Sequence, residues 1–388
     1  MDLRYTDEQI VFRDEVRAWL EANIPKTPLP SFDTAEGFEA HRDWERTLAQ
    51  GNWGMVTWPE AFGGRGCDLL EWLIFEEEYY RAGAPLRVNQ NGIFLLGPTL
   101  MEYGTEAQKA RFIPAMAKGD EIWAQGWSEP NAGSDMAAIR CRAERDGDDF
   151  IISGQKIWST RAVYADWVFG LFRTDPTSER HHGLSKILVP LNADGITVRP
   201  IPQLNGLPGF AEIFFDEVRV PAFNLLGGEG EGWRIAMATA GFERGLMLRS
   251  PARFQQAAKR LVELYRSRSN EVLDPSIEDA VLRCYMDAEA YALSTYQTAS
   301  LLCGGGSIGP EASCNKIFWS ELDLLIHETA MKLLGARAEI EPQTAQEFSD
   351  LGTWLDGFMF AQSGPIYAGT NEIQRNIIAE RMLGMPRK

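Results

Sequence analysis

The chain has 388 residues, 45% of them hydrophobic and 24% charged, a balance that fits two or three globular domains and excludes a disordered or collagen-like chain. A net charge of −17 leaves no basic surplus to neutralise phosphates, which argues against nucleic acid and against an anionic membrane surface as partners. No apolar run approaches the roughly 18 to 20 residues that span a bilayer. Residues 1–25 have neither the basic and apolar regions of a signal peptide nor the acid-poor character of a transit peptide, so a cytoplasmic setting is expected.

In chain order, Thr6 and Gln9 have the spacing of a capping box, and Ile10, Val16 and Leu20 follow at helical intervals. Residues 58–66 (WPEAFGGRG) read as loop. Residues 106–118 read as a helix carrying Phe112, Ile113 and Met116, stopped by Gly119. Beyond about residue 120 the pattern turns to strands: 150–159 (FIISGQKIWS) after a turn at 146–149, then 187–191 and 213–220. From residue 232 onward long helical stretches return, among them 288–302 and 317–334. The expected fold class is α+β and mostly helical: an N-terminal helical domain over 1–120, a middle β-barrel over 121–228 and a C-terminal helical bundle over 229–388.

Cys67, Cys141, Cys284, Cys303 and Cys314 are odd in number and lack a CxxC spacing, as expected of reduced packing residues. Four scattered histidines predict no metal site. His181 and His182 fall in a polar stretch and read as exposed loop. Gly304, Gly306 and Gly309 match GxGxxG, but a helix precedes them where a dinucleotide fold needs a strand, so a helix connection is expected.

Two segments stand out, 127–135 (WSEPNAGSD) and 366–383 (IYAGTNEIQRNIIAERML). Each sets backbone donors and small hydroxyls beside glycine, where a chain can approach a bulky phosphorylated ligand closely. Together they suggest one flavin nucleotide gripped from two domains. With WPEAFGGRG, QKIWST (155–160) and VPAFNLLG (220–227), their order and spacing closely resemble the acyl-CoA dehydrogenase family.

That resemblance implies FAD, held by Gln125, Trp127, Ser128, Gly133 and Ser134 against the isoalloxazine and pyrophosphate. Trp158 and Thr160 would flank the ring, with Thr370 and Glu372 closing the site at the start of the last helix. A helix N-terminus has unpaired N–H groups suited to a phosphate or a polarised oxygen. The plainer alternative for Trp158 is a core aromatic.

Family members remove the α-proton of an acyl-CoA thioester with a carboxylate while the β-hydrogen leaves as hydride to flavin N5. Many carry that glutamate just before the GT of the C-terminal motif, where this chain has Ala368. A second subgroup, to which bacterial steroid- and cyclic-acid-degrading members are similar, carries the base in an ER dipeptide on an earlier helix. Glu243 and Arg244, in GFERGL, supply one. Glu243 falls on a stripe with Ala236, Ala240 and Met247, where burial would raise its pKa and suit it to proton abstraction. The alternative is a surface ion pair with Arg244, Arg249 or Arg253. The Ala368 main-chain N–H retains the donor that polarises the thioester carbonyl. Tyr367 and Gly369 flank it in the substrate pocket.

The segment 85–96 (PLRVNQNGIFLL) would line part of the acyl pocket, where Arg87, Asn89 and Gln90 predict a more polar lining than a straight fatty chain requires. The alternative is a solvent-facing Arg87 at a helix start. The RxxFG signature that reaches a neighbouring subunit's FAD is not visible between Leu261 and Ala280, and 332–336 reads KLLGA in place of a glutamine with paired glycines. The resemblance implies an acyl-CoA substrate, electron-transferring flavoprotein as acceptor and a homo-oligomer, dimer or tetramer. A heterotetramer is the alternative that the missing signature raises. Two other functions stay open: a flavin oxidase or monooxygenase of the same fold, and a cofactor-sharing, non-catalytic subunit.

Overall fold

The computed structural model describes residues 4–244, 250–268, 274–340 and 353–386, the side chains of 242–244 excepted. The element order is helical, then β, then helical. The first helices are α1 (Asp7–Asn23), α2 (Ala35–Gln50), α3 (Leu69–Arg81), α4 (Gly97–Tyr103) and α5 (Glu106–Ala117). The strands are β1 (Trp123–Gly126), β2 (Arg142–Asp146), β3 (Asp149–Thr160), β4 (Trp167–Arg173), β5 (Leu184–Pro190), β6 (Ile196–Ile201), β7 (Phe210–Pro221) and β8 (Leu225–Leu226). Then come α6 (Gly232–Arg244), α7 (Pro251–Ser267), α8 (Pro275–Cys303), α9 (Ala312–Leu334), α10 (Thr353–Ala361) and α11 (Asn371–Ile377).

The helix starts follow local chemistry. Thr6 accepts from the Gln9 N–H while the Gln9 side chain reaches back, and Asp68 with Glu71 and Thr105 with Gln108 repeat that reciprocal cap. Such a cap is worth about 1 kcal/mol. Gly119, at φ 72°, follows α5 as expected of a terminator. Within 58–66 the loop holds one short 3-10 turn, Glu60–Phe62.

The chain packs as two compact units that interleave along the sequence. One comprises 1–28, 67–84 and 244–388 and is helical: it holds α1, α3 and α7 to α11, with a core that includes Phe254, Leu261, Cys284, Tyr291, Trp319 and Ile326. The other comprises 29–66 and 85–243 and holds α2, α4, α5, α6 and every strand. Its core lies on the sheet, with Phe150, Ile152, Val168, Phe172, Ile187, Ile213 and Val218 all essentially solvent-free.

The expected barrel is an open sheet of eight strands in the order β6-β7-β3-β2-β4-β5-β8, with β1 added parallel to β4. Closure would need the last strand to pair with β6. β8 is two residues long and pairs with β5 at Lys186 and Ile187. β3 and β7 form the longest antiparallel pair, broken by irregularities at 152/154 and 156/159.

Gly304, Gly306 and Gly309 lie in the connection from α8 to α9, so the GxGxxG match has the helical context expected of a decoy. His181 and His182 are exposed. The cysteines form no disulfide; Cys141 and Cys284 are buried, whereas Cys303 and Cys314 are exposed, against the packing role expected of all five. Among the described residues there is no cluster of three or more metal-ligating side chains, and no helix is long and apolar enough to cross a membrane.

Candidate active site

In the sheet-bearing unit, two of the singled-out motifs meet. The Ile157 N–H donates to the Ser128 carbonyl at 2.9 Å, tying QKIWST to WSEPNAGSD. The tie sits at the β3 irregularity between Lys156 and Ser159, where Ile157 and Trp158 leave the ladder. Trp158 has φ 61° and is 58% exposed. A bulky aromatic rarely adopts that backbone region, which costs about 1–3 kcal/mol and clusters at functional sites. The core-aromatic alternative is excluded: the indole projects from the sheet, with the Phe210 ring edge-on at 6.1 Å. Thr160, half-buried, pairs with Phe210 two residues further along β3.

The loop after β1 is held by two residues that the motif reading left unassigned. Lys156, fully buried, donates to Glu129 Oε1 at 2.8 Å, to the Leu171 carbonyl at 2.6 Å and to the Trp127 carbonyl at 3.3 Å. Glu129 also accepts from the Cys141 N–H at 2.8 Å and the Arg140 N–H at 2.6 Å. The backbones of Glu129 and Ala132 exchange two hydrogen bonds, closing the turn that presents Gly133 and Ser134. Both presented residues are exposed, and no heavy atom lies within 4 Å of where a Gly133 Cβ would sit. Both stapling residues lie inside quoted motifs; the signal was a charged pair embedded in otherwise small and aromatic segments.

Gln125, on β1 opposite Phe169, is half-buried. Trp127 is buried, and among the described residues its indole Nε1 has no hydrogen-bond partner. A buried donor without an acceptor costs about 1–3 kcal/mol. An orphaned donor, an exposed aromatic on a left-handed bulge and an open glycine turn are together the groups a planar, phosphorylated cofactor would engage. The residues present therefore fit a flavin nucleotide.

In the helical unit, the other motif forms a turn ahead of α11. Ala368 and Gly369 have φ 56° and 80°, so two consecutive residues are left-handed. Lys316 donates to the Gly364 carbonyl and to Asn371 Oδ1, at 2.9 and 2.8 Å, and the Asn371 N–H donates to the Pro365 carbonyl at 2.8 Å. The Gln374 amide donates to the carbonyls of Ala368 and Gly369, at 3.3 and 3.2 Å. The carbonyls of the turn are thus occupied, whereas among the described residues the Ala368 N–H meets no acceptor. Tyr367 stacks on Trp319 at 5.9 Å, anchoring the turn to α9. The Thr370 hydroxyl caps α11 by accepting from the Ile373 N–H at 3.2 Å. Glu372 is exposed, and its own N–H with the Thr370 hydroxyl holds its carboxyl below the usual range.

The side chains of Glu243 and Arg244 lie outside the described residues; their backbones form the last turn of α6. In the segment 85–96 the solvent-facing alternative for Arg87 fails. Arg87 is 8% exposed, not solvent-facing, and its guanidinium donates twice to Glu45 Oε2, at 2.8 and 2.7 Å, and to the Gly54 carbonyl. Asn89 is fully buried; its amide donates to the carbonyls of Met116 and Glu121, and its Oδ1 accepts from the Trp123 N–H. These polar atoms hold the segment in place. A buried Arg needs a paired carboxylate, and Glu45 lies too far back in sequence for spacing to reveal it. Gln90, half-buried, precedes the π-helical turn Asn91–Leu96.

The sequence matches the acyl-CoA dehydrogenase N-terminal domain over 6–120, the middle domain over 124–218 and the C-terminal domain over 230–383. It is 40% identical to acyl-CoA dehydrogenase IpdE1 of Mycobacterium tuberculosis, covering 97% of this chain and 98% of that protein. The solved steroid ACAD Tcur3481-Tcur3483 superposes with a TM-score of 0.85 at 28% identity over all of both chains. The ChsE4-ChsE5 complex from Mycobacterium tuberculosis superposes with a TM-score of 0.81 at 30% identity, again over all of both chains. The chain belongs to the acyl-CoA dehydrogenase family of FAD-dependent oxidoreductases.

Proposed function

We propose that this chain binds FAD and oxidises an acyl-CoA thioester to its trans-2-enoyl ester, with Glu243 as the α-proton base. The observation that carries the flavin assignment is the Ile157 to Ser128 hydrogen bond, which presents the left-handed, exposed Trp158 beside the 127–135 loop. Gln125, Trp127, Ser128, Gly133, Ser134, Trp158 and Thr160 would hold the cofactor, with Thr370 and Glu372 contributing from the C-terminal motif. When bound, FAD supplies the acceptor for the β-hydrogen as hydride.

The chain's own residues supply the rest of the chemistry. The α-proton of a thioester is too weakly acidic for a carboxylate acting alone. The Ala368 N–H, which has no acceptor among the described residues, donates to the thioester carbonyl as negative charge develops on its oxygen. One such donor contributes about 3–4 kcal/mol to the transition state. Glu243 accepts the proton on its carboxylate, and Arg244 is the adjacent cation of the dipeptide. Because position 368 carries alanine, its role reduces to that of its backbone.

The two-chain names of the structural relatives, with the missing RxxFG signature, support a second reading of the assembly, in which this chain pairs with a different family member. The steroid label of one relative supports a cyclic or steroid-derived acyl group as substrate. Electron-transferring flavoprotein is the proposed acceptor. The test is the visible spectrum of the purified chain before and after anaerobic addition of linear, branched, dicarboxylyl and cyclic acyl-CoA esters. Bleaching of bound flavin by one class establishes the dehydrogenase and its substrate; persistence of the oxidised spectrum with every class refutes the reading. A colourless chain that gains flavin and activity on adding a partner chain establishes the heteromer, and rapid reoxidation by air identifies an oxidase. Glu243→Gln is expected to slow flavin reduction by at least about 10²-fold with FAD retained; a native rate refutes the base.

A further inference from the structure

Lys316, on α9, is buried, and its ammonium reaches both ends of one loop: the Gly364 carbonyl at 2.9 Å and Asn371 Oδ1 at 2.8 Å. One turn further along α9 the Ser320 hydroxyl meets the same Oδ1 at 3.2 Å, and between the two Trp319 stacks on Tyr367 at 5.9 Å. Positions 316, 319 and 320 share one face of a helix, so a single face of α9 holds 364, 367 and 371. The Asn371 N–H closes the loop on the Pro365 carbonyl at 2.8 Å. Lys316, Ser320, Asn371 and Gln374 are each at most 3% exposed, so protein groups rather than solvent must satisfy this loop.

The clamped loop contains a strained residue. Ala368, at φ 56°, sits in a region that alanine enters reluctantly and glycine readily. The Gln374 amide holds the carbonyls of 368 and 369 by longer contacts, at 3.3 and 3.2 Å, and is the weaker of the two restraints. We propose that Lys316 is a positioning residue for the reaction: by fixing Gly364 and Asn371 on a single ammonium it keeps Ala368 left-handed, and so keeps the 368 N–H in register with the thioester carbonyl. This rests on the Ala368 N–H being the donor to that carbonyl.

Released from the clamp, alanine returns to the right-handed or extended regions, and the plane of its peptide turns with it. The loss is then one of population: the fraction of molecules with the donor in register falls by about 5- to 30-fold. A glycine at 368 has no such preference to return to.

The experiment is single-turnover flavin reduction in the FAD-loaded assembly, with the ester of the linear, branched, dicarboxylyl and cyclic panel that bleaches the native protein. Difference infrared spectroscopy of the bound, isotope-labelled enoyl ester reads its carbonyl stretch alongside. Lys316→Met is expected to reduce flavin about 5- to 30-fold more slowly at saturating ester, with FAD retained and the stretch moved toward its value in water. Adding Ala368→Gly restores the rate to within about threefold of native and moves the stretch back; a lysine that only stabilised the fold would not be rescued by glycine at 368. Asn371→Ala removes one anchor, keeps the lysine and acts the same way, which carries the test if Lys316→Met does not fold. Urea unfolding supplies a readout independent of flavin: Ala368→Gly stabilises the native protein and not the Lys316→Met protein. Native rate and stretch in both Lys316→Met and Asn371→Ala, or slow variants that glycine leaves slow, overturn this proposal alone. A native-protein stretch equal to that in water overturns the donor reading, and a native flavin that no ester bleaches overturns the dehydrogenase reading, each taking this proposal with it.

Discussion

Two lysines of the same sheet are both fully buried, and their surroundings differ in kind. Lys156 spends its protons on one carboxylate and two carbonyls, whereas Lys186 has one hydroxyl among the described residues. Desolvation opposes both charges equally in principle. Among the described residues only Lys156 is compensated by a carboxylate, and what the pair builds is the shape of a loop: Glu129 gathers that ammonium and two backbone N–H groups and so sets the turn that presents Gly133 and Ser134. A satisfied buried charge builds geometry.

The contrast is broken most severely by Lys156→Met. Glu129 is then left with backbone donors alone, and unfolding in urea should show a loss of about 3–5 kcal/mol with an unchanged m-value. The 127–135 loop loses its staple, so flavin content after purification falls as well. A protein of native stability and full flavin content would show that the loop holds its form without the pair. Glu129→Gln is the milder perturbation, since it keeps an acceptor for the lysine and the Cys141 N–H; its expected cost is about 1–3 kcal/mol.

Lys186→Met should have the opposite sign. The substitution raises the urea midpoint at pH 6. The folded-state pKa of Lys186 is depressed to about 7, so the folded chain binds fewer protons than the unfolded one between there and the unfolded value near about 10.4. The cost of burying the charge is complete below that window and fades as pH rises through it. The gain from methionine must therefore shrink toward pH 10. A pH-independent gain would assign the effect to packing and remove Lys186 from the comparison.

The same contrast separates what was legible in the sequence from what was not. The caps at Thr6 and Thr105, the strand runs of β3, β5 and β7 and the long helices α8 and α9 are local, because neighbouring residues encode them. The motifs of the candidate site were equally plain. Pairings across distance were not: Arg87 finds Glu45, and Lys156 finds Glu129, through the packing of separate elements. Barrel closure failed for a related reason, since it depends on the length of β8, a two-residue strand that hydrophobic patterning cannot register. Nor did any pattern announce that Trp158 would turn left-handed; an aromatic near the end of a strand-like run is ordinarily strand. The interleaved units follow from 67–84 packing with the C-terminal helices, a long-range choice invisible to periodicity.

The smallest expected effect concerns the other left-handed non-glycine residue of the candidate site. Ala368 at φ 56° carries a strain of about 1–2 kcal/mol that glycine would not. Glycine in turn costs about 0.5–1 kcal/mol in unfolded-chain entropy, so Ala368→Gly should shift stability by no more than about 1.5 kcal/mol, toward greater stability. The Gln374 amide and the Asn371 N–H would still hold the turn's carbonyls, leaving the 368 N–H in place. Flavin reduction should accordingly stay within about threefold of native, against the roughly 10²-fold expected for an interaction lost from the transition state. A large rate loss in a stably folded, flavin-replete Ala368→Gly protein would mean that the alanine methyl does work here assigned wholly to the backbone. An unchanged rate would leave the donor as the function of this turn, rigid by its hydrogen bonds and indifferent to its side chain.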